Sequence, residues 1–114
     1  MSITIYHNPK CSKSRETLAL IREAGIEPTI VEYLKTPVEP ETIKHLIKES
    51  GISIDKALRT EVDAYHQYIE GQDLAEDEII QLMSEHATLI NRPFVTSDKG
   101  TRFCRPPELV KELL

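Results

Sequence analysis

A cysteine placed between a predicted strand and a predicted helix constrains this chain more than any other feature. Residues 3–6 are β-branched or aromatic, which predicts a short strand. Residues 7–9 read His-Asn-Pro, which is typical of a turn. The apolar positions within residues 12–24 have helical spacing, and Gly25 supplies a stop. We therefore expect Cys11 in or beside the first turn of a helix.

This position favours ionisation of the Cys11 thiol. The first N–H groups of a helix lack partners, and the helix dipole adds partial positive charge there. A free cysteine has a pKa of roughly 8.5, which helix N-termini and nearby cations lower. Cations within local reach are Lys10, Lys13, Arg15 and, when protonated, His7. We expect a reactive thiolate that is not buried; the alternative is an inert buried thiol.

The rest of the chain predicts an α/β fold. Residues 28–33 read as a second strand, so the first 33 residues form a βαβ unit with two parallel strands. This order predicts a thioredoxin-like domain over residues 1–114, with a four-stranded mixed sheet flanked by helices and a helical insertion between the second and third strands. The other predicted elements are helices over 41–49, 53–58, 61–70, 75–85 and 106–114, and strands over 94–96 and 101–103.

Composition excludes several classes of function. The formal net charge of −5 argues against a general nucleic-acid-binding surface. No apolar run reaches the length of a membrane span, and no signal peptide precedes the first strand. Two cysteines favour a reducing compartment, with the cytoplasm as the default location. The four histidines have no ligand spacing with either cysteine, so we expect no metal site.

Arginines at element ends suggest what the thiolate acts on. In thioredoxin-like folds a proline before the third strand, commonly with a cis peptide bond, faces the reactive cysteine, and Pro93 is the candidate here. Arg92 would then lie near the sulfur, while Arg59 and Arg105 also stand at element ends. Three guanidinium groups around a thiolate would suit a tetrahedral oxyanion. Spacing alone does not prefer these three over Arg15, Arg22 and Arg102.

Four separated blocks of the chain resemble the glutaredoxin-coupled arsenate reductase family. They are Tyr6 to Arg15, Leu58-Arg59, Ile90 to Pro93 and Gly100 to Pro106, in that order. The resemblance implies that Cys11 attacks arsenate and that Arg59, Arg92 and Arg105 hold the oxyanion. It also implies that His7 helps to keep the thiolate and that Ser14 hydrogen-bonds the sulfur.

The same resemblance implies a mechanism without a bound cofactor. A thiol–arsenate adduct forms on Cys11, glutathione acts as co-substrate, glutaredoxin removes the resulting mixed disulfide, and arsenite departs. The active loop holds one cysteine, so an outside thiol is required. Cys104 is expected to pack in the core.

Two alternatives stay open at this point. A redox-responsive transcriptional regulator of the Spx type shares this fold, but such regulators typically carry Cys-X-X-Cys in the first loop, where this chain has Ser14. A general monothiol oxidoreductase acting on glutathione mixed disulfides would need no oxyanion pocket.

Overall fold

A computed structural model describes residues 2–114 and contains one four-stranded mixed sheet in the order β2-β1-β3-β4. Strands β1 and β2 are parallel, as the βαβ pattern predicts. Strand β3 is antiparallel to β1, and β4 is antiparallel to β3. The bounds are β1 Thr4–His7, β2 Thr29–Glu32, β3 Phe94–Ser97 and β4 Gly100–Phe103.

The helices follow the predicted order, with shifts of a few residues at their ends. Helix α1 connects β1 to β2, and the remaining α-helices form the predicted insertion between β2 and β3. None of the helices within residues 2–114 is both long and apolar enough to cross a bilayer. Their bounds are α1 Ser12–Glu23, α2 Pro40–Ser50, α3 Ile54–Ala57, α4 Asp63–Tyr68 and α5 Glu76–Glu85, followed by a 3₁₀ helix over Ala87–Leu89.

The last predicted helix is of a different type. The segment Pro107–Leu113 is a 3₁₀ helix, not an α-helix. The tighter 3₁₀ turn still buries Val110 and Leu113 against the sheet side of α1.

The core lies on both faces of the sheet. Side chains alternate along a strand, so the consecutive residues Phe94 and Val95 belong to different apolar clusters. The cluster around Phe94 lies beneath the inserted helices and includes Tyr33. The cluster around Val95 is covered by α1 and the terminal 3₁₀ helix. The two apolar clusters pack against opposite faces of the sheet and so fix the edge that carries the candidate site.

Strand directions gather distant residues at one edge of the sheet. Strands β1, β2 and β4 run the same way, so their carboxyl ends meet there, together with the start of the opposed β3. We call this the thiol edge. The insertion also reaches it, because Leu58 bridges Ile90 and the Arg59 N–H donates to the Leu89 carbonyl at 2.8 Å. Its members are residues 8–11, Tyr33, Arg59, residues 91–93 and Arg105.

Candidate active site

A tight loop delivers Cys11 to the start of α1. The Cys11 N–H donates to the Asn8 carbonyl at 3.0 Å, and the Lys10 N–H donates to Asn8 Oδ1 at 3.0 Å. Cys11 is the residue that caps α1, with φ −94° and ψ 121°, and its carbonyl accepts from the Arg15 N–H at 3.0 Å. The Arg15 side chain ties the loop down by donating to the Pro9 carbonyl at 2.9 Å. The strand-to-helix placement predicted for Cys11 is confirmed.

A buried hydrogen bond between Ser14 and His7 supports this loop. Ser14 Oγ lies 2.6 Å from His7 Nδ1 and accepts from the Asn8 N–H at 3.1 Å. Oγ accepts from Asn8 with one of its two lone pairs, and the His7 tautomer decides whether Oγ or Nδ1 donates in the second bond. Burial lowers the pKa of His7, so its ring is neutral at pH 7 and brings no full charge to the thiol.

The Ser14 hydroxyl therefore differs from the role that the family resemblance implies. Its hydrogen-bond partners within residues 2–114 are His7 and Asn8, and the sulfur is not among them. The backbone N–H of Ser14 interacts with Cys11 instead, and this hydrogen bond lowers the pKa of the thiol.

The expectation of an unburied Cys11 is wrong, because this residue is 8% exposed. Its cover is polar, however, since Arg105 Nη1 lies 3.8 Å from Sγ. Burial raises the pKa of Cys11, but the Ser14 N–H, the charge of Arg92 and the Lys13 N–H together outweigh it, and the net pKa is lowered. The sulfur is enclosed by groups that favour the thiolate.

Arg92 and Arg105 are the arginines that the structure brings to the sulfur. Arg105 Nη1 also donates to the Arg92 carbonyl at 3.4 Å, which joins the two residues. Arg92 donates from Nη1 to Asn91 Oδ1 at 3.3 Å, and its Nε is buried without a partner among the described residues. These two guanidinium groups leave donors available beside Cys11.

Arg59 lies on the thiol edge but is held differently. Its Nε donates to Glu61 Oε1 at 2.7 Å, and its side chain is 19% exposed. Arg59 and Arg92 both lower the pKa of the Glu61 carboxyl, with Arg59 the larger influence. Arg59 is therefore near Arg92 but paired with a carboxylate in this structure.

The three arginines that spacing could not separate from these are engaged elsewhere. Arg15 bonds the Pro9 carbonyl, as described above. Arg22 forms a two-point ion pair with Glu27, each contact at 2.9 Å. Arg102 pairs with Glu112 at 2.6 Å. The arginines that lie beside the sulfur in this structure are Arg92 and Arg105, and Arg59 lies near Arg92.

Pro93 directly precedes β3, and Cys104 packs in the core as predicted. The Arg92–Pro93 peptide bond is cis, as predicted, and the Pro93 carbonyl accepts from the Cys104 N–H at 2.9 Å. Cys104 is fully buried in the core, and burial raises its pKa to about 12. A second cis bond, Arg105–Pro106, was not predicted.

Sequence reasoning assigned Tyr33 to a strand and gave it no place in the site. The residue follows Glu32, which is paired with His7 across the parallel strands, so Tyr33 lies beside the Asn8 position of the active loop. The signal was present in the βαβ pattern, because residues that follow two adjacent parallel strands share one edge.

The fold and the site together define a thioredoxin-like protein with one activated cysteine in a pocket of arginines. The sequence profile of the ArsC family matches residues 6–113, and the chain belongs to that family.

Relatives are similar over nearly the whole chain. An arsenate reductase of Escherichia coli K12 is 46% identical, and the match covers 99% of this chain and 81% of the relative. The uncharacterized protein YfgD of the same strain is 41% identical, and the match covers 98% of this chain and 96% of that protein. A solved structure of an arsenate reductase from Vibrio cholerae has a TM-score of 0.93 and 42% identity. The match covers 100% of this chain and 98% of that structure.

Proposed function

We propose that this protein reduces arsenate to arsenite, with Cys11 as the nucleophile and with glutathione and glutaredoxin as the reductants. The proposal rests on the surroundings of the Cys11 sulfur. The pKa of this thiol is lowered, Arg105 contacts the sulfur, and Arg92 lies nearby. Two of the relatives described above carry the name arsenate reductase.

Binding of the substrate begins with charge. Hydrogen arsenate is a tetrahedral anion, and guanidinium groups recognise pairs of its oxygens through parallel N–H donors. Arg92 and Arg105 are in position beside the sulfur. Arg59 joins them by exchanging its Glu61 partner for the anion. The negative net charge of the chain does not prevent this, because distant charges are screened beyond roughly 8 Å at physiological salt.

The first chemical step is a substitution at arsenic. The Cys11 thiolate attacks, an S–As bond forms, and one As–O bond breaks. The departing oxygen takes up protons and leaves as water, while arsenic stays in the +5 state. The helix start and the arginines stabilise the thiolate before attack and the oxyanion during it.

The second step reduces arsenic. A glutathione thiolate attacks the Cys11 sulfur, an S–S bond forms, and the S–As electron pair stays on arsenic, which becomes arsenite in the +3 state. A glutaredoxin thiol then exchanges with the mixed disulfide and restores Cys11. The overall reaction consumes two thiols and one arsenate and yields one disulfide, arsenite and water.

An outside thiol is needed because Cys104 is a poor internal reductant. It is buried, and burial raises its pKa to about 12, so almost none of it is thiolate at neutral pH. The reaction involves no bound cofactor, and a reducing cytoplasm is the compartment that would supply its thiols.

The test is arsenate-dependent NADPH oxidation in the presence of glutathione, glutaredoxin and glutathione reductase. We expect activity from the wild-type protein and none above background from Cys11→Ser. Cys104→Ala is the matched control for cysteine removal, and its activity should persist at temperatures where it remains folded. Substantial activity in Cys11→Ser would refute the nucleophile assignment.

A second assay separates this function from general disulfide exchange. Arg92→Met should lower arsenate reduction strongly and exchange with a glutathione mixed disulfide only weakly, because the exchange reaction has no tetrahedral anion to hold. Equal losses in both assays would favour the monothiol oxidoreductase.

A further inference from the structure

The side chain of Asn91 holds the Arg92 guanidinium through its amide oxygen. Asn91 Oδ1 accepts from Arg92 Nη1 at 3.3 Å and from the Arg92 backbone N–H at 3.1 Å. Arg92 Nε is buried without a partner among residues 2–114. The neighbouring amide therefore helps to set where the positive charge of Arg92 lies.

The other end of the same amide is anchored on the helical insertion. Asn91 Nδ2 donates to the Lys56 carbonyl at 2.9 Å, and the Asn91 backbone N–H donates to the Ala57 carbonyl at 2.8 Å. The bridge between Leu58 and Ile90 continues this contact. The amide uses its oxygen for donors and its nitrogen for an acceptor, which an aspartate of the same shape cannot reproduce.

The chemical type of this anchor matters for the charge at the thiol edge. A carboxylate that binds a guanidinium also offsets its positive charge, as Glu61 does for Arg59 at 2.7 Å. The Asn91 amide is neutral, and Arg92 has no carboxylate partner among residues 2–114. Arg92 is thus oriented while its full charge stays available to an anion.

A shared contact links Arg92 to the sulfur. Arg105 Nη1 lies 3.8 Å from Cys11 Sγ and also donates to the Arg92 carbonyl at 3.4 Å. The charge of Arg92 lowers the pKa of the Cys11 thiol. A group that fixes the Arg92 side chain therefore influences both the thiolate and an anion bound over it.

We propose that Asn91 is a positioning residue of this site: its side-chain amide, anchored on the Lys56 carbonyl, holds the Arg92 guanidinium beside Cys11 without offsetting its charge. The proposal deepens the proposed function and rests on it where arsenate is taken as the anion. Without the amide, the Arg92 side chain samples more rotamers. The thiolate then loses part of its stabilisation, and the anion must order the side chain on binding.

The first measurement follows the ionisation of Cys11 without arsenate. The rate of alkylation by iodoacetamide is measured against pH, and its midpoint gives the pKa of the thiol. Arg92→Met should raise this midpoint by roughly 1 pH unit or more, because a nearby opposite charge is removed. Asn91→Ala should raise it by roughly 0.3 to 1 pH unit, as a part of the same effect. Gln81→Ala removes an exposed amide bonded to Glu85 and is the control, which should leave the midpoint unchanged.

The second measurement follows binding of the anion. Cys11 is alkylated at increasing arsenate without glutathione, and the arsenate concentration giving half-protection is measured. Asn91→Ala should need roughly 2- to 10-fold more arsenate, because binding must then immobilise the freed Arg92 side chain. Asn91→Asp should raise both the midpoint and this concentration at least as much, since its carboxylate offsets the charge of Arg92. Wild-type values in Asn91→Asp would overturn the requirement for a neutral anchor.

A double variant separates positioning from support of the fold. Because Asn91 acts through Arg92, Asn91→Ala in an Arg92→Met background should change neither the midpoint nor the half-protection concentration. Effects of equal size in both backgrounds would overturn the proposal. So would a lowered melting temperature with an unchanged midpoint in the single variant, which would assign the amide to the fold. Asn91→Ser supplies the same comparison if Asn91→Ala does not fold.

The proposal and the proposed function can fail separately, because the midpoint is measured without arsenate. Wild-type protein that reduces no arsenate would refute the reductase and leave the midpoint comparison for Asn91 intact. An active wild type, with Asn91→Ala equal to it in both measurements, would overturn the Asn91 proposal alone. An unchanged midpoint in Arg92→Met would also overturn it, since the charge that Asn91 positions would not act on the thiol.

Discussion

Ser14→Ala tests whether the buried pair beneath the active loop holds that loop in place. The substitution removes one oxygen that serves two buried partners, His7 Nδ1 at 2.6 Å and the Asn8 N–H at 3.1 Å. Alanine keeps the backbone N–H that lowers the pKa of Cys11. The change therefore isolates the structural contribution of the hydroxyl from its backbone contribution to the thiolate.

The expected loss follows from the two groups left unsatisfied. A buried donor or acceptor without a partner costs about 1–3 kcal/mol, and alanine regains about 0.5 kcal/mol through its higher helix propensity. With two such groups, we expect the free energy of unfolding to fall by about 1.5–5.5 kcal/mol. For a domain of this size each kcal/mol shifts the melting temperature by about 3–6 °C, so the melting temperature should fall by roughly 5–33 °C.

Urea unfolding followed by circular dichroism measures this loss directly. The midpoint should decrease at unchanged m-value, because the surface exposed on unfolding is nearly the same. Ser12→Ala is the matched control: it removes a hydroxyl from the same helix, but from an exposed residue, and should change stability by less than about 0.5 kcal/mol. If both variants were equally stable, the hydroxyl would not support the loop.

Three further predictions follow from charge and burial. Burial lowers the pKa of His7 in the folded protein, so the unfolded chain binds a proton on this ring more readily. The free energy of unfolding should therefore fall as pH drops from about 7 to about 5, and it should fall less steeply in His7→Gln. Native protein at pH 8 should take one iodoacetamide label, on Cys11, and a second on Cys104 only in urea, because burial raises the pKa of Cys104 to about 12. Mass spectrometry counts the labels. Two labels on the native chain would contradict the assignment of Cys104 to the core. Glu61→Gln frees Arg59 Nε, so half-protection of the thiol should need roughly two- to five-fold less arsenate at low salt, and an unchanged value would show that Arg59 does not reach the anion.

Most of the fold could be predicted because its signals are local. Strand and helix periodicities are apparent over a few residues. A βαβ unit has parallel strands because its helix returns the chain to the end of the sheet where the first strand began. The terminal 3₁₀ helix over Pro107–Leu113 was missed because its apolar spacing is compatible with both helix types. Only the hydrogen-bond pattern separates the two, and that pattern depends on packing against α1.

The candidate site could be predicted only for residues that the order of strands and helices places at the end of an element. Cys11 and Arg92 were found because each stands at the end of a strand or helix. The burial of Cys11 depends on side-chain contacts between separate elements, which sequence spacing does not encode. The pairing of Arg59 with Glu61 is local, two residues apart in one loop, but the sequence alone does not show which partner the guanidinium takes. Tyr33 was missed for the opposite reason: its strand placement was considered, but the edge shared with the active loop was not.

The sulfur and its guanidinium partner Arg105 stand 94 residues apart in the chain. Arg92, whose charge lowers the pKa of Cys11, also follows late in the chain, whereas the Ser14 and Lys13 N–H groups that lower it too belong to the helix that begins beside the cysteine. A nascent chain would therefore expose Cys11 with part of its thiolate stabilisation in place, and the cationic part would come only with residues synthesised much later.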